Sequence, residues 1–184
     1  ASNGRDAVRQ AEQARPDVIV MDVAMPELNG IEATKQIKKM QSNIAVVILT
    51  VHSEDEFVFQ LLKAGASGYL LKESAPEELV GAIRAVLNGD SYLSPAVSRK
   101  VINGFVDGRN STHKIQSELR LSERESEVLQ LLVEGHTPKE AGNLLFISEK
   151  TVRAHKGNIM DKLNLHNMPD LVKYAIKQGI ISLK

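Results

Sequence analysis

Three short apolar runs in the first half of the chain each end in a side chain able to do chemistry. Asp17-Val-Ile-Val-Met-Asp22 ends in a carboxylate, Ile44-Ala-Val-Val-Ile-Leu-Thr50 in a hydroxyl, and Ser67-Gly-Tyr-Leu-Leu-Lys72 in an ammonium. The carboxylate is an acceptor, the hydroxyl a neutral donor and the ammonium a fixed positive charge. Taken singly, Asp22 could cap the turn after it, Thr50 could merely end a strand, and Lys72 could be solvated. Three such ends in succession point to one shared site, because open α/β sheets bind ligands at the carboxyl ends of their strands.

A second constellation lies near the C-terminus. At 100° per residue, Val152, His155, Ile159 and Leu163 fall on one side of a helix, and Lys150, Arg153, Ala154, Gly157 and Asp161 on the other. The apolar side must pack inward, which assigns His155 mainly to packing. The opposite side is basic at its N-terminal end, the end that a helix-turn-helix sets nearest the bases of the DNA major groove. Any surface helix has a charged outer face, so charge alone decides little. Ala154 and Gly157 add weight: a solvated helix gains nothing from a glycine that costs about 1 kcal/mol, whereas close approach to another surface favours small side chains.

The elements that position these residues follow from periodicity. Continuous apolar runs of this length suit strands buried on both faces of a parallel sheet. Between them, residues 30–40 (Ile31, Thr34, Ile37), 54–64 (Phe57, Val58, Leu61, Leu62) and 76–88 (Leu79, Ile83, Val86, Leu87) carry helical spacing. Alternating strand and helix periods predict an α/β, doubly wound domain. From about residue 118 the strand signal ends and four helices are expected. Ser122 with Glu125 and Thr137 with Glu140 form capping boxes, Pro138 takes the favoured first position, and Ser148 caps the third helix. The last runs from about Pro169 to Gln178, with Gly179 as its stop. Residues 106–117 are polar and aperiodic and read as a linker. The expected division is 1–94 for the α/β domain, 95–117 for a linker with a short helix, and 118–184 for the all-α domain.

Composition narrows the classes. With no cysteine among 184 residues, the chain has no disulfide framework, thiolate metal site or cysteine nucleophile. No apolar run approaches the roughly 18 residues that span a bilayer, so a soluble cytoplasmic protein without membrane contact is expected. Lys plus Arg and Asp plus Glu both total 23, a zero net charge that by itself argues against a nucleic-acid partner. Distribution matters more. Residues 147–160 hold Lys150, Arg153 and Lys156 against Glu149 alone. Such modest charge predicts weak non-specific affinity for one copy, hence a dimer for useful binding.

Two stretches carry a family resemblance. Asp22-Val-Ala-Met-Pro-Glu-Leu-Asn-Gly30 resembles the phosphoacceptor turn of bacterial receiver domains, with Thr50 and Lys72 at the positions of the phosphate-sensing hydroxyl and lysine and Tyr69 at that of the switch aromatic. Leu121-Ser-Glu-Arg-Glu-Ser-Glu-Val-Leu129, Ile147-Ser-Glu-Lys-Thr-Val-Arg-Ala-His155 and Asn158-Ile-Met-Asp-Lys-Leu163 look like the LuxR-type helix-turn-helix. In this order they resemble NarL/FixJ-type response regulators over essentially the whole chain. The resemblance implies a receiver domain followed by an all-α four-helix DNA-binding domain, a sensor histidine kinase as phosphodonor, double-stranded DNA as target, and a homodimer when active. Phosphorylation of Asp22 would release the C-terminal half and allow pairing through the final helix, for which Leu171, Val172, Ala175 and Ile176 are candidates. The resemblance makes Arg153 the principal base reader with Ala154 beside it, and places Gly157 where relatives often carry a basic residue. Lys139, Lys150, Thr151 and Lys156 are expected on phosphates.

The chain departs from the family pattern at its start. Ala1-Ser-Asn-Gly-Arg-Asp-Ala7 resembles the entry to the family's second helix, so the receiver fold is expected to be N-terminally incomplete, lacking the first strand, first helix and most or all of the second strand. The acidic pair that holds Mg²⁺ in the family is absent with them. Asp22 and the Ala24 carbonyl remain as metal ligands, and poor phosphate uptake by the 184-residue chain alone is the expectation. A fragment, omitted residues, or a unit supplied by another copy would each account for the start. A phosphorylation-independent DNA-binding regulator with a receiver-like interaction module is therefore the alternative. An enzyme using Asp22 as nucleophile is disfavoured, since Asp22-Val-Ala-Met25 offers no second carboxylate.

Overall fold

The computed structural model describes residues 1–51, 55–106 and 121–181. Of the expected linker, residues 107–117 lie outside them. The chain opens with helix α1 (Gly4–Ala14), capped by Asn3, whose side chain accepts the Asp6 N–H. Strand β1 (Val18–Asp22), helix α2 (Gly30–Met40), strand β2 (Ala45–Thr50), helix α3 (Asp55–Lys63), strand β3 (Gly68–Leu71) and helix α4 (Ala75–Leu87) follow in alternation. A two-residue strand, β4 (Tyr92–Leu93), leads into helix α5 (Pro95–Val106).

The sheet is parallel throughout, in the order β1-β2-β3-β4, with Asp22 opposite Leu49 and Thr50 opposite Leu71. Side chains alternate between its faces. Met21, Val46, Ile48, Tyr69 and Leu71 pack with Ile31 and Ile37 of α2, Leu61 of α3 and Val97 of α5. Ala45, Val47 and Leu70 turn the other way, onto Ala82 and Val86 of α4. Helices on both faces make the fold doubly wound, as the continuous apolar runs predict. Over β1 the second face is less covered, and Val20 is 43% exposed.

The C-terminal half is all-α: α6 (Glu123–Val133), α7 (Pro138–Leu145), α8 (Glu149–Leu163) and α9 (Met168–Lys177). Both expected capping boxes close in both directions, Ser122 with Glu125 and Thr137 with Glu140, and Ser148 Oγ accepts the Thr151 N–H. The last helix starts earlier than Pro169, because Asn167 accepts the Asp170 N–H and caps it. Its core gathers Val128, Leu129, Leu131, Leu132, Leu145, Val152, Ile159 and Leu171.

Candidate functional site

The three polar strand ends come together. Asp22 closes β1, Thr50 closes the neighbouring β2, and Lys72 follows β3 directly. Lys72 Nζ lies 2.6 Å from Asp22 Oδ2, and the Lys72 N–H donates to the Thr50 carbonyl at 2.7 Å. Thr50 is 1% exposed, whereas the Asp22 and Lys72 side chains are 36% and 40% exposed. A surface carboxylate next to a buried hydroxyl and an ammonium is a place where a tetrahedral anion would meet both a donor and a charge. Tyr69 sits on β3 behind this edge and is wholly buried.

The turn after Asp22 is shaped by two features. Asp22 Oδ1 accepts the Ala24 N–H at 3.3 Å, so the capping role and the site role coexist. A Cβ on Gly30 would stand 2.1 Å from the Asp22 carbonyl oxygen, so only glycine lets α2 begin this close to the strand end. Gly30 closes the acceptor-turn motif, and this steric requirement explains its place there.

Asp22 and Ala24 do not by themselves complete a site for a divalent cation. A hard cation gathers about six oxygens or more. Asp22 supplies one carboxylate, already engaged by Lys72 and the Ala24 N–H, and Ala24 a single carbonyl. Among the described residues, no group of three or more His, Cys, Asp or Glu side chains is placed to hold a metal ion.

The second site is the outer face of α8. Val152 and Ile159 are fully buried and His155 half-buried, while Lys150, Arg153, Ala154 and Gly157 are exposed and Thr151 and Lys156 half-buried. Lys139, on α7, is exposed as well. Arg153 Nη2 and Nε rest on Glu149 Oε1 at 2.7 and 3.0 Å, an exposed pair that a competing phosphate or base would break at little cost. A Cβ on Gly157 would meet nothing within 4 Å. Its own fold therefore does not require glycine there. Gly142 is the opposite case: a Cβ there would lie 2.7 Å from the Ile147 carbonyl oxygen. The structure shows a tight α7–α8 turn that admits no side chain.

The four pairing candidates on α9 separate into two kinds. Leu171 and Ala175 are 0% exposed and belong to the domain's own core, so they offer no surface. Val172 and Ile176 are half-buried and remain available. Gln130 and Glu134 belong to no motif in the sequence; the one visible signal for Gln130 is a polar break in the apolar run Val128–Leu132.

Comparisons with known proteins identify the family of each half. Residues 1–84 match the family described as "Response regulator receiver domain", and residues 119–175 match "Bacterial regulatory proteins, luxR family". The oxygen regulatory protein NreC of Staphylococcus carnosus is 39% identical over 98% of this chain and 85% of its own length. The transcriptional regulatory protein DegU of Brevibacillus brevis is 36% identical over 99% of this chain and 82% of its own. Among solved structures, RcsB of Salmonella enterica serovar Typhimurium, bound to promoter rprA in the presence of the phosphomimetic BeF3-, aligns with a TM-score of 0.57 at 27% identity. That alignment covers 94% of this chain and 81% of RcsB. A LuxR-family two-component response regulator from an Aurantimonas species aligns at 37% identity with a TM-score of 0.55, over 58% of this chain and 76% of its own.

Proposed function

The chain belongs to the bacterial response regulators that join a receiver domain to a LuxR-type DNA-binding domain, and from that membership we propose how its residues divide the work. A two-component response regulator of this kind controls transcription; its family is one of DNA-binding regulators rather than of enzymes. In our reading Asp22 accepts a phosphoryl group from a sensor histidine kinase in the cytoplasm. Lys72 neutralises its oxygens, Thr50 donates a hydrogen bond to them, and Tyr69 follows Thr50. The observation that carries this is the 2.6 Å Lys72–Asp22 pair beside Thr50, at the edge where a parallel sheet binds ligands.

On α8, Arg153 reads base edges with Ala154 beside it, and the open space at Gly157 lets the helix approach closely. Lys139, Lys150, Thr151 and Lys156 hold phosphates and set the register. Two copies pair through the exposed parts of α9, Val172 and Ile176, on adjacent half-sites of double-stranded DNA. The domain division that fits this extends the receiver expected over 1–94 through α5, whose Val97 is buried in the receiver core, leaves the rest of 95–117 as the connecting segment, and gives 118–184 to DNA binding.

Receiver domains of the family use Mg²⁺ at the phosphorylation site, where Asp22 and the Ala24 carbonyl would be two of its ligands. The alternative reading is a regulator that binds DNA without phosphate control through a receiver-like module. DNA footprinting with and without a small phosphodonor, on the native chain and on Asp22→Ala, separates the two. A gain in affinity that Asp22→Ala abolishes supports phosphate control. Identical affinity in every arm supports the second reading.

A further inference from the structure

A side-chain amide that is 0% exposed in an apolar stretch of helix needs hydrogen-bond partners, and Gln130 of α6 finds most of its own in the other half of the molecule. Its Oε1 accepts the Asn29 backbone N–H at 2.7 Å and Asn29 Nδ2 at 3.3 Å. Its Nε2 donates to the Met25 carbonyl and to Glu134 Oε1, both at 2.8 Å. Glu134, one turn further on, accepts the Glu27 N–H with both oxygens at 3.1 Å. Met25, Glu27 and Asn29 are alternate residues of the loop between Asp22 and α2. Within it Glu27 holds φ 63, a left-handed conformation that a residue other than glycine keeps only when its surroundings impose it.

The grip continues down an antiparallel seam between α2 and α6. Gln36 Nε2 donates to Glu127 Oε1 at 2.9 Å and Lys39 lies 3.9 Å from Glu123, while Arg5 of the neighbouring α1 lies 3.7 Å from Glu127. A seam this polar resembles interfaces that open and close. The outer face of α8 takes no part: Lys150, Arg153, Ala154 and Gly157 stay exposed while the halves are docked.

We propose that Gln130 and Glu134 are positioning residues for the acceptor loop. The DNA-binding half holds residues 25–29 in the shape seen here, so the two halves are coupled through that loop and not by covering of the recognition helix. A change at Asp22 that moves the loop strips Gln130 of its partners, and undocking frees the loop. The meaning of this coupling rests on Asp22 as phosphoacceptor; the clamp itself is independent of that reading.

Amide hydrogen exchange on the full chain tests it, alongside binding to a DNA duplex carrying one half-site. In Gln130→Ala the Glu27 and Asn29 amides lose protection tenfold or more, while amides of Val46, Ile48 and Val152 keep theirs, and half-site affinity stays within twofold. Gln130→Glu keeps an acceptor for the Asn29 N–H but loses the amide that donates to the Met25 carbonyl and to Glu134 Oε1, so protection at Glu27 and Asn29 falls in this variant too. Unchanged protection in both variants overturns the clamp. Loss at Val46, Ile48 and Val152 as well reduces Gln130 to a folding residue, and a tenfold gain in half-site affinity means that docking does cover the DNA surface. Failure of phosphoryl uptake at Asp22 would leave all of these outcomes intact, so the two readings fail separately.

Discussion

The ammonium of Lys72 and the carboxylate of Asp22 meet at 2.6 Å across the strand that lies between them, so their contact passes over the end of β2, where Thr50 sits. Both side chains are more than a third exposed. Exposed ion pairs contribute at most about 1 kcal/mol to stability. Lys72→Ala is therefore expected to shift a urea melt by less than about 1 kcal/mol while abolishing any difference that a phosphodonor makes to DNA binding. A loss above about 2 kcal/mol would make Lys72 a structural residue.

Two glycines of the DNA-binding half should respond in opposite directions to the same substitution. Gly142→Ala pushes a methyl to 2.7 Å from the Ile147 carbonyl, and opening that turn should cost about 1–3 kcal/mol. Gly157→Ala adds a methyl that meets nothing within 4 Å, so helix propensity should stabilise the domain by about 0.5–1 kcal/mol. Its DNA affinity should nevertheless fall, because the close approach is lost. Denaturant melts and titrations with one duplex check both; Gly157→Ala that binds DNA as tightly as the native chain would remove that residue from the interface.

Two buried carboxylates give pH dependence of opposite sign. Burial pushes Glu32 above the ordinary glutamate range, with Glu123 and Glu127 adding to it against the opposing Lys35; its Oε2 has no hydrogen-bond partner. The folded state thus binds this proton more readily than the unfolded one. The resulting stabilisation is present in acid and is lost as pH rises through the raised value. Burial also pushes Glu125 upward, but hydrogen bonds from Lys162 and Ser122 outweigh it and hold the carboxyl below its usual range. Its contribution is present above the unfolded value and is lost as pH falls through the lowered one. Urea melts from pH 3 to 8 should show Glu32→Gln removing the decline toward neutral pH and Glu125→Gln removing part of the acid loss. A Glu32→Gln profile parallel to that of the native chain would contradict the first.

The strand ends are legible in the sequence because strands covered on both faces read as unbroken apolar runs, and each here stops at a polar residue. The DNA-binding helices are legible because their caps are local, three residues from donor to acceptor. What the sequence hides is long-range. Asn29 and Gln130 bond across 101 positions, and no period or motif announces that pairing. On α9, Leu171 and Val172 are both apolar, and only the packed core distinguishes the buried one from the half-exposed one. The strand β4 escapes because two residues, Tyr92 and Leu93, carry no period at all.

The division of labour proposed for α8 turns on the Arg153–Glu149 pair. Glu149 Oε1 holds the guanidinium at 2.7 Å, so in that reading Arg153 reaches a base by exchanging one acceptor for another. A guanine edge offers two acceptors to the guanidinium fork, worth about 1–3 kcal/mol of discrimination against the wrong base. Arg153→Ala should therefore flatten the preference at the position it reads. Lys150 has no such fork and sits one turn nearer the helix start, where the proposed reading sets it on a phosphate. Lys150→Ala should weaken all sequences alike and reduce the slope of log affinity against log salt by about 1. Glu149→Ala removes the competing acceptor and a negative charge together, and should tighten non-specific binding. A binding selection from random duplexes, with salt titrations on one preferred and one scrambled site, reads all three. An unchanged preference in Arg153→Ala would move base reading elsewhere on the helix.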